Sequence, residues 1–224
     1  MSPASWTRAR VAAAIDHTIL RPDATAADVR RVCTEARENS CASVCVNGAR
    51  IAIVVEQLAG SRVVACAVVG FPLGATAASA KADEAARLVR LGAREIDMVM
   101  NVGLLKDRSF DAVADDISAV VRASDGAAVK VILETCLLTD EEKSTACRLA
   151  VDAGAAFVKT STGFGSAGAT IADVKLMKAA VNGRAMVKAS GGIRDTAAAL
   201  AMLEAGADRL GLSATVAVLA GLPE

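Results

Sequence analysis

The chain has 224 residues, and 25 basic side chains balance 25 acidic ones, so its formal charge is zero. A neutral chain with 2% aromatic residues and no tyrosine lacks both the electropositive surface and the stacking rings of a nucleic-acid binder. An apolar share of 54% excludes a mainly disordered chain and is enough for a sizeable core.

Short β-branched or apolar runs recur in chain order at 15–18, 43–46, 63–69, 95–100, 129–134, 157–161, 186–190 and 209–213. Each leads into an alanine-rich helical pattern, at 24–39, 49–58, 76–91, 110–123, 139–153, 171–181, 196–205 and 214–220. Alternating strand and helix predicts a parallel sheet covered by helices, with strands buried on both faces. Eight such units predict an α/β fold, a (β/α)8 TIM barrel, as a single domain over residues 1–224. A doubly wound sheet is disfavoured because no G-x-G-x-x-G follows the first strand.

The uncharged stretch 63–80 has the length of a membrane span, but Gly70, Pro72 and Gly74 divide it into a strand, a turn and a helix start. Asp16 stops the apolar run 11–15, which is too short for a secretory signal core. Six cysteines form no C-x-x-C pair, and several sit inside apolar runs. They read as reduced core thiols of a cytoplasmic protein with no membrane partner.

Gly92, Gly154 and Gly206 each close a helix ahead of a strand. Five residues further on stand Asp97, Lys159 and Gly211, which are expected at similar heights near the C-terminal strand ends. That rim is where barrel enzymes carry their chemistry. A second echo links Phe157-Val158-Lys159-Thr160-Ser161-Thr162-Gly163 to Met186-Val187-Lys188-Ala189-Ser190-Gly191-Gly192. Lys159 and Lys188 therefore take matching positions on neighbouring strands.

An ammonium in a buried strand is costly unless it is paired or neutralised. A strand-end lysine reaching solvent is the structural alternative. Two lysines at equivalent positions favour chemistry. A lysine beside another cation loses basicity, and its neutral amine can attack a carbonyl to form a Schiff base. Spacing alone leaves open which lysine is the nucleophile. Asp97, inside an apolar run, reads as a proton-transfer group, with pairing to a lysine as the structural alternative.

Asp16 is expected to orient a lysine or a water, and the adjacent His17, the only histidine, reads as structural. Lys130 and Glu134 are expected to share one face of the fifth strand and extend a polar network into the barrel. A lone histidine without clustered cysteines or carboxylates predicts no catalytic metal. Gly191 and Gly192 after strand seven, and Gly211-Leu212-Ser213 ending strand eight, lie where barrels often hold phosphate. Gly163, after strand six, is expected to close the site from the other side.

Asp16-His17-Thr18, the strand around Asp97, the Lys159 motif through Phe164, and Val187-Lys188-Ala189-Ser190-Gly191-Gly192-Ile193-Arg194 together resemble the deoxyribose-phosphate aldolase family. The resemblance runs from Asp16 to Ser213. It implies a (β/α)8 barrel and a class I aldolase that reversibly cleaves 2-deoxy-D-ribose 5-phosphate to D-glyceraldehyde 3-phosphate and acetaldehyde. It also implies Lys159 as the Schiff-base nucleophile, Lys188 as the lysine that depresses its basicity, and Asp97 as a proton shuttle working with water. Gly191, Gly192, Ser213 and Gly163 then match phosphate contacts, no cofactor is required, and a homodimer is compatible. Cys45 matches a cysteine close to the substrate, with core packing as the stronger alternative.

Two departures bear on phosphate binding: Leu212 and Ala214 interrupt a hydroxyl-rich turn found in many relatives, and Phe164 stands where some carry lysine. Some relatives also use a C-terminal tyrosine near the site, and this chain has no tyrosine. The alternative readings are a catalytically silent sugar-phosphate-binding barrel and a Schiff-base aldolase for another sugar phosphate.

Overall fold

In a computed structural model, eight parallel strands close into a barrel whose neighbours follow chain order. They are β1 (Ile15–Ile19), β2 (Ser43–Val46), β3 (Val64–Val69), β4 (Glu95–Val99), β5 (Ala128–Ile132), β6 (Phe157–Lys159), β7 (Met186–Ser190) and β8 (Arg209–Leu212). The structure describes residues 6–223; residues 1–5 and 224, part of the expected 1–224 span, lie outside the described residues. The expected (β/α)8 architecture is present.

Helices α1 (Arg8–Ala12), α2 (Ala26–Glu38), α3 (Ile51–Leu58), α4 (Ala78–Arg90), α5 (Val102–Lys106), α6 (Phe110–Ala123), α7 (Asp140–Asp152), α8 (Ile171–Val181), α9 (Thr196–Glu204) and α10 (Thr215–Ala220), with 3-10 turns at Gly48–Arg50 and Thr135–Leu137, complete the described elements. Thr25 and Asp28 form a reciprocal capping box at α2, and Thr139 and Glu142 do so at α7. Such boxes satisfy two orphan N–H groups and fix where a helix begins. Helices α1 and α5 were not expected from the sequence. Each has five residues, too few to display a helical period, and each is announced only by its cap, Thr7 or Asn101. No helix among the described residues is long and apolar enough to cross a membrane.

The apolar core lies between the strands and the helices. Ile96 and Met98 of β4, Val158 of β6, Val187 and Ala189 of β7, and Leu210 of β8 all belong to it. A strand's side chains alternate in direction, so the residues between these turn into the cylinder. Those inward residues include Asp97, Lys159, Lys188 and Arg209. The strands are thus apolar outside and charged inside, a pattern that reads as an uninterrupted apolar run only when the charges are overlooked.

The closing glycines behave as expected, with φ of +109° at Gly92 and +110° at Gly206. At Gly92 a Cβ would also lie 2.9 Å from Val55, so a side chain is barred twice. Strands β5 and β6 end earlier than the sequence reading placed them. The early end of β5 leaves Glu134 beyond the sheet with φ +56°, at the start of a 3-10 turn over Thr135–Leu137. Glu134 therefore does not share a strand face with Lys130. All six cysteines are free; Cys136 is half-buried and the others are buried.

Candidate active site

Barrel closure gathers seven charged side chains into one cluster. Lys130 Nζ lies 2.6 Å from Glu95 Oε2, 2.8 Å from Asp97 Oδ1 and 3.6 Å from Asp16 Oδ2. Lys188 Nζ lies 2.6 Å from Asp16 Oδ2 and 2.7 Å from Asp97 Oδ2. Lys159 Nζ donates to the same Asp97 Oδ2 at 2.8 Å. Arg209 bonds Asp16 Oδ1 through Nη1 and reaches Glu95 Oε1 at 3.1 Å through Nη2. Four basic side chains therefore face three carboxyl groups.

Burial alone would raise the Asp97 carboxyl, but Lys130, Lys159 and Lys188 outweigh it and hold the group well below the ordinary range. Burial likewise opposes the charge on Asp16, and Lys188, Lys130 and Arg209 overcome it, so that carboxyl is also depressed. Burial would lower Lys188, yet Asp16 and Asp97 outweigh it and raise the group. Lys130 is raised in the same way, mainly by Asp97. Lys188 is therefore a fixed cation.

A cavity of about 480 Å³ opens above the cluster. Lys159 lines it; Lys130, Lys188 and Asp97 do not. The geometry thus separates two lysines that spacing alone could not. Gly163, Gly191, Gly192 and Ser213 all line the same cavity, and Arg194 joins them. Gly191 and Gly192 are both left-handed, at φ +86° and +82°. A Cβ on Gly191 would meet Gly168 Cα at 2.9 Å, so the two loops touch backbone to backbone. Gly211 lines the cavity too and also makes room for a side chain. A Cβ there would lie 2.8 Å from Lys188 Cε, so the bare strand lets the lysine pass.

The remaining expectations divide. Asp16 forms an ion pair with Lys188. Lys130 joins the cluster from below, whereas Glu134 sits apart and accepts from Thr162. His17 also lines the cavity, but both of its ring nitrogens are engaged, Nε2 2.7 Å from Glu35 and Nδ1 2.8 Å from Thr215. Cys45 is buried, does not line the cavity and pairs in register with Cys66. A hydrogen bond with Cys66 lowers the Cys45 thiol, while burial pushes the Cys66 thiol up. Cys45, Cys66 and Asp97 offer ligand atoms within 4.8 Å of one another, but lysines already occupy both Asp97 oxygens. Glu95 and Arg209 were missed by the sequence reading. The available signal was a charged residue at the first position of strands four and eight, easily taken for a solvated strand end.

Residues 10–221 match the family described as DeoC/LacD family aldolase. The chain belongs to that family. The DeoC/LacD match is supported by a Carboxydothermus hydrogenoformans protein named deoxyribose-phosphate aldolase, 53% identical over 95% of this chain and 95% of its own length. Deoxyribose-phosphate aldolase 1 of Bacillus licheniformis is 54% identical over 95% of this chain and 96% of its own. Among solved structures, a deoxyribose-phosphate aldolase from Aeropyrum pernix, described as a unique tetramer, superposes with a TM-score of 0.90 at 34% identity. It covers 96% of this chain and 91% of that one. These DeoC/LacD relatives match nearly end to end.

Proposed function

We propose that the chain is a class I deoxyribose-phosphate aldolase, a lyase that reversibly cleaves 2-deoxy-D-ribose 5-phosphate to D-glyceraldehyde 3-phosphate and acetaldehyde. The observation that carries this reading is that one amine, Lys159, lines the cavity beside a second, fully buried ammonium, Lys188, with both held by one oxygen of Asp97.

In this reading the Lys159 amine attacks C1 of the open sugar phosphate, and loss of water gives an iminium. Asp97, working through water, takes the proton of the C3 hydroxyl. The C3–O bond becomes a carbonyl, the C2–C3 bond breaks, and its electron pair forms the C1=C2 bond of the enamine. Glyceraldehyde 3-phosphate departs. Protonation at C2 and hydrolysis of the iminium release acetaldehyde and the free amine. The iminium is the electron sink, so the chemistry calls for no cofactor or metal. Lys188 supplies a permanent positive charge beside the reacting nitrogen.

Gly191, Gly192, Gly163 and Ser213 would bind the phosphate through backbone N–H groups and one hydroxyl, with Arg194 adding charge. The reading takes the whole chain as one catalytic domain, cytoplasmic, and assembled with copies of itself, in the first instance as a homodimer.

Borohydride reduction in the presence of acetaldehyde, followed by peptide mapping, tests the central step. The expected result is an adduct on Lys159 that Lys159→Leu loses. Binding of deoxyribose 5-phosphate without an adduct would instead identify a silent barrel. Competition between acetaldehyde and dihydroxyacetone as donors separates this aldolase from one acting on another sugar phosphate.

A further inference from the structure

Glu134 is a buried carboxylate that the mechanism above does not use. It follows β5 in a left-handed backbone conformation, φ +56°, which an L-residue adopts at some cost. Every partner it has among the described residues is neutral. It accepts from the Thr162 hydroxyl at Oε2, from the Thr162 N–H at 3.4 Å on both oxygens, and from the Cys136 thiol at 3.9 Å. Gly165 lies against it, where a Cβ would come within 3.1 Å of Glu134 Cδ. Burying a carboxylate without a countercharge is costly, and a chain that only needed to close a turn could do so with a glycine.

The use lies one bond away. Thr162 lines the cavity, three residues after Lys159. A hydroxyl has one proton to donate and two lone pairs. Glu134 takes the proton, and the Phe164 N–H takes one lone pair at 3.0 Å. What remains for a ligand is a single acceptor site. We propose that Glu134 is a positioning residue: it turns Thr162 into a fixed acceptor that selects a substrate hydroxyl.

The chemistry identifies which hydroxyl. The C3 oxygen of the sugar phosphate loses its proton as it becomes a carbonyl, so it cannot go on donating through the reaction. A phosphate carries mainly acceptor oxygens. The C4 hydroxyl keeps its proton throughout and survives as the C2 hydroxyl of glyceraldehyde 3-phosphate. It is the group that an acceptor-only Thr162 can hold in both directions. This inference rests on the aldolase reading and adds a specificity element to it.

The test runs the reaction towards synthesis, with acetaldehyde as donor and two acceptors, glyceraldehyde 3-phosphate and 3-phosphooxypropanal, which lacks the hydroxyl. The wild-type chain is expected to prefer the hydroxylated acceptor in kcat/KM by about tenfold or more, the scale of one well-formed hydrogen bond. Thr162→Val and Glu134→Gln are expected to bring the two acceptors within about threefold of each other, leaving turnover of the deoxy acceptor close to wild type. Thr162→Ser is expected to keep the preference. If Glu134→Gln does not fold, Glu134→Asp, whose shorter side chain draws the carboxylate back from Thr162, takes its place and is expected to lose the preference in the same way; a preference kept by that variant overturns the role of Glu134. Parallel losses on both acceptors, or no preference in an active wild type, overturn the role of Glu134 and leave the aldolase reading standing. A wild type inactive on both acceptors overturns the two together.

Discussion

Lys159 and Lys188 donate to the same oxygen of Asp97, from 2.8 and 2.7 Å. Neighbouring strands place the two residues in register, and alternation sends both side chains inward. One carboxylate therefore holds a reactive amine and a permanent cation together.

Lys188→Leu leaves Asp16 and Asp97 facing each other with one ammonium fewer. Removing one member of a buried ionic set typically costs about 3–5 kcal/mol. The expected outcome is a folded protein of lower stability with turnover reduced at least about 100-fold. Urea denaturation and steady-state kinetics on deoxyribose 5-phosphate read the two effects separately. Turnover like the wild type would remove the need for the second lysine.

The cluster also sets how stability depends on pH. Asp97 and Asp16 are depressed in the folded state, so their contribution is complete above the unfolded value near 3.8 and is lost as pH falls towards the folded value. Lys130 and Lys188 are raised, so theirs is complete below 10.5 and is lost as pH rises beyond it. Thermal unfolding followed across pH should show a plateau with a fall at each end. The acid slope should be shallower in Asp97→Asn. An unchanged acid slope in that variant would contradict the assignment.

Gly211→Ala adds a Cβ 2.8 Å from Lys188 Cε and 3.0 Å from Ser190 Cβ. The lysine cannot yield without leaving Asp16 or Asp97. Overpacking of this kind costs about 1–3 kcal/mol, and the displaced ammonium should lower kcat by about tenfold or more. Kinetics that match the wild type would show that the lysine has room the structure does not reveal.

Gly192→Ala probes the anion loop. Nothing lies within 4 Å of the added Cβ, so the cost comes from the left-handed backbone alone, about 1 kcal/mol. The loop should relax away from its present path. KM for the phosphorylated sugar is expected to rise severalfold, with kcat and the activity on unphosphorylated deoxyribose little changed. A matching loss on both sugars would place the glycine outside phosphate binding.

The barrel was legible because its units repeat. Helix-closing Gly92, Gly154 and Gly206 mark where each turn ends, and the echoed lysine segments mark adjacent strands. The same regularity exposed Lys159, Lys188 and Asp97. Arg209 and Asp16 were not legible as partners, because they stand 193 residues apart and only closure of the sheet brings them together. Glu134 was misplaced for a local reason. Its left-handed backbone ends the strand, and neither hydropathy nor residue type announces that conformation at a glutamate. Helices α1 and α5 escaped because a five-residue turn shows no period.

The interior charges are sorted by position along the chain. Asp16, Glu95 and Asp97 come from β1 and β4, while Lys130, Lys159, Lys188 and Arg209 come from β5 to β8. A fragment holding only the first four strands would enclose bare carboxylates, and one holding only the last four would enclose bare cations. Each half repels itself and attracts the other. The cylinder is therefore two complementary electrolytes, and the event that shuts it is also the event that pairs their charges.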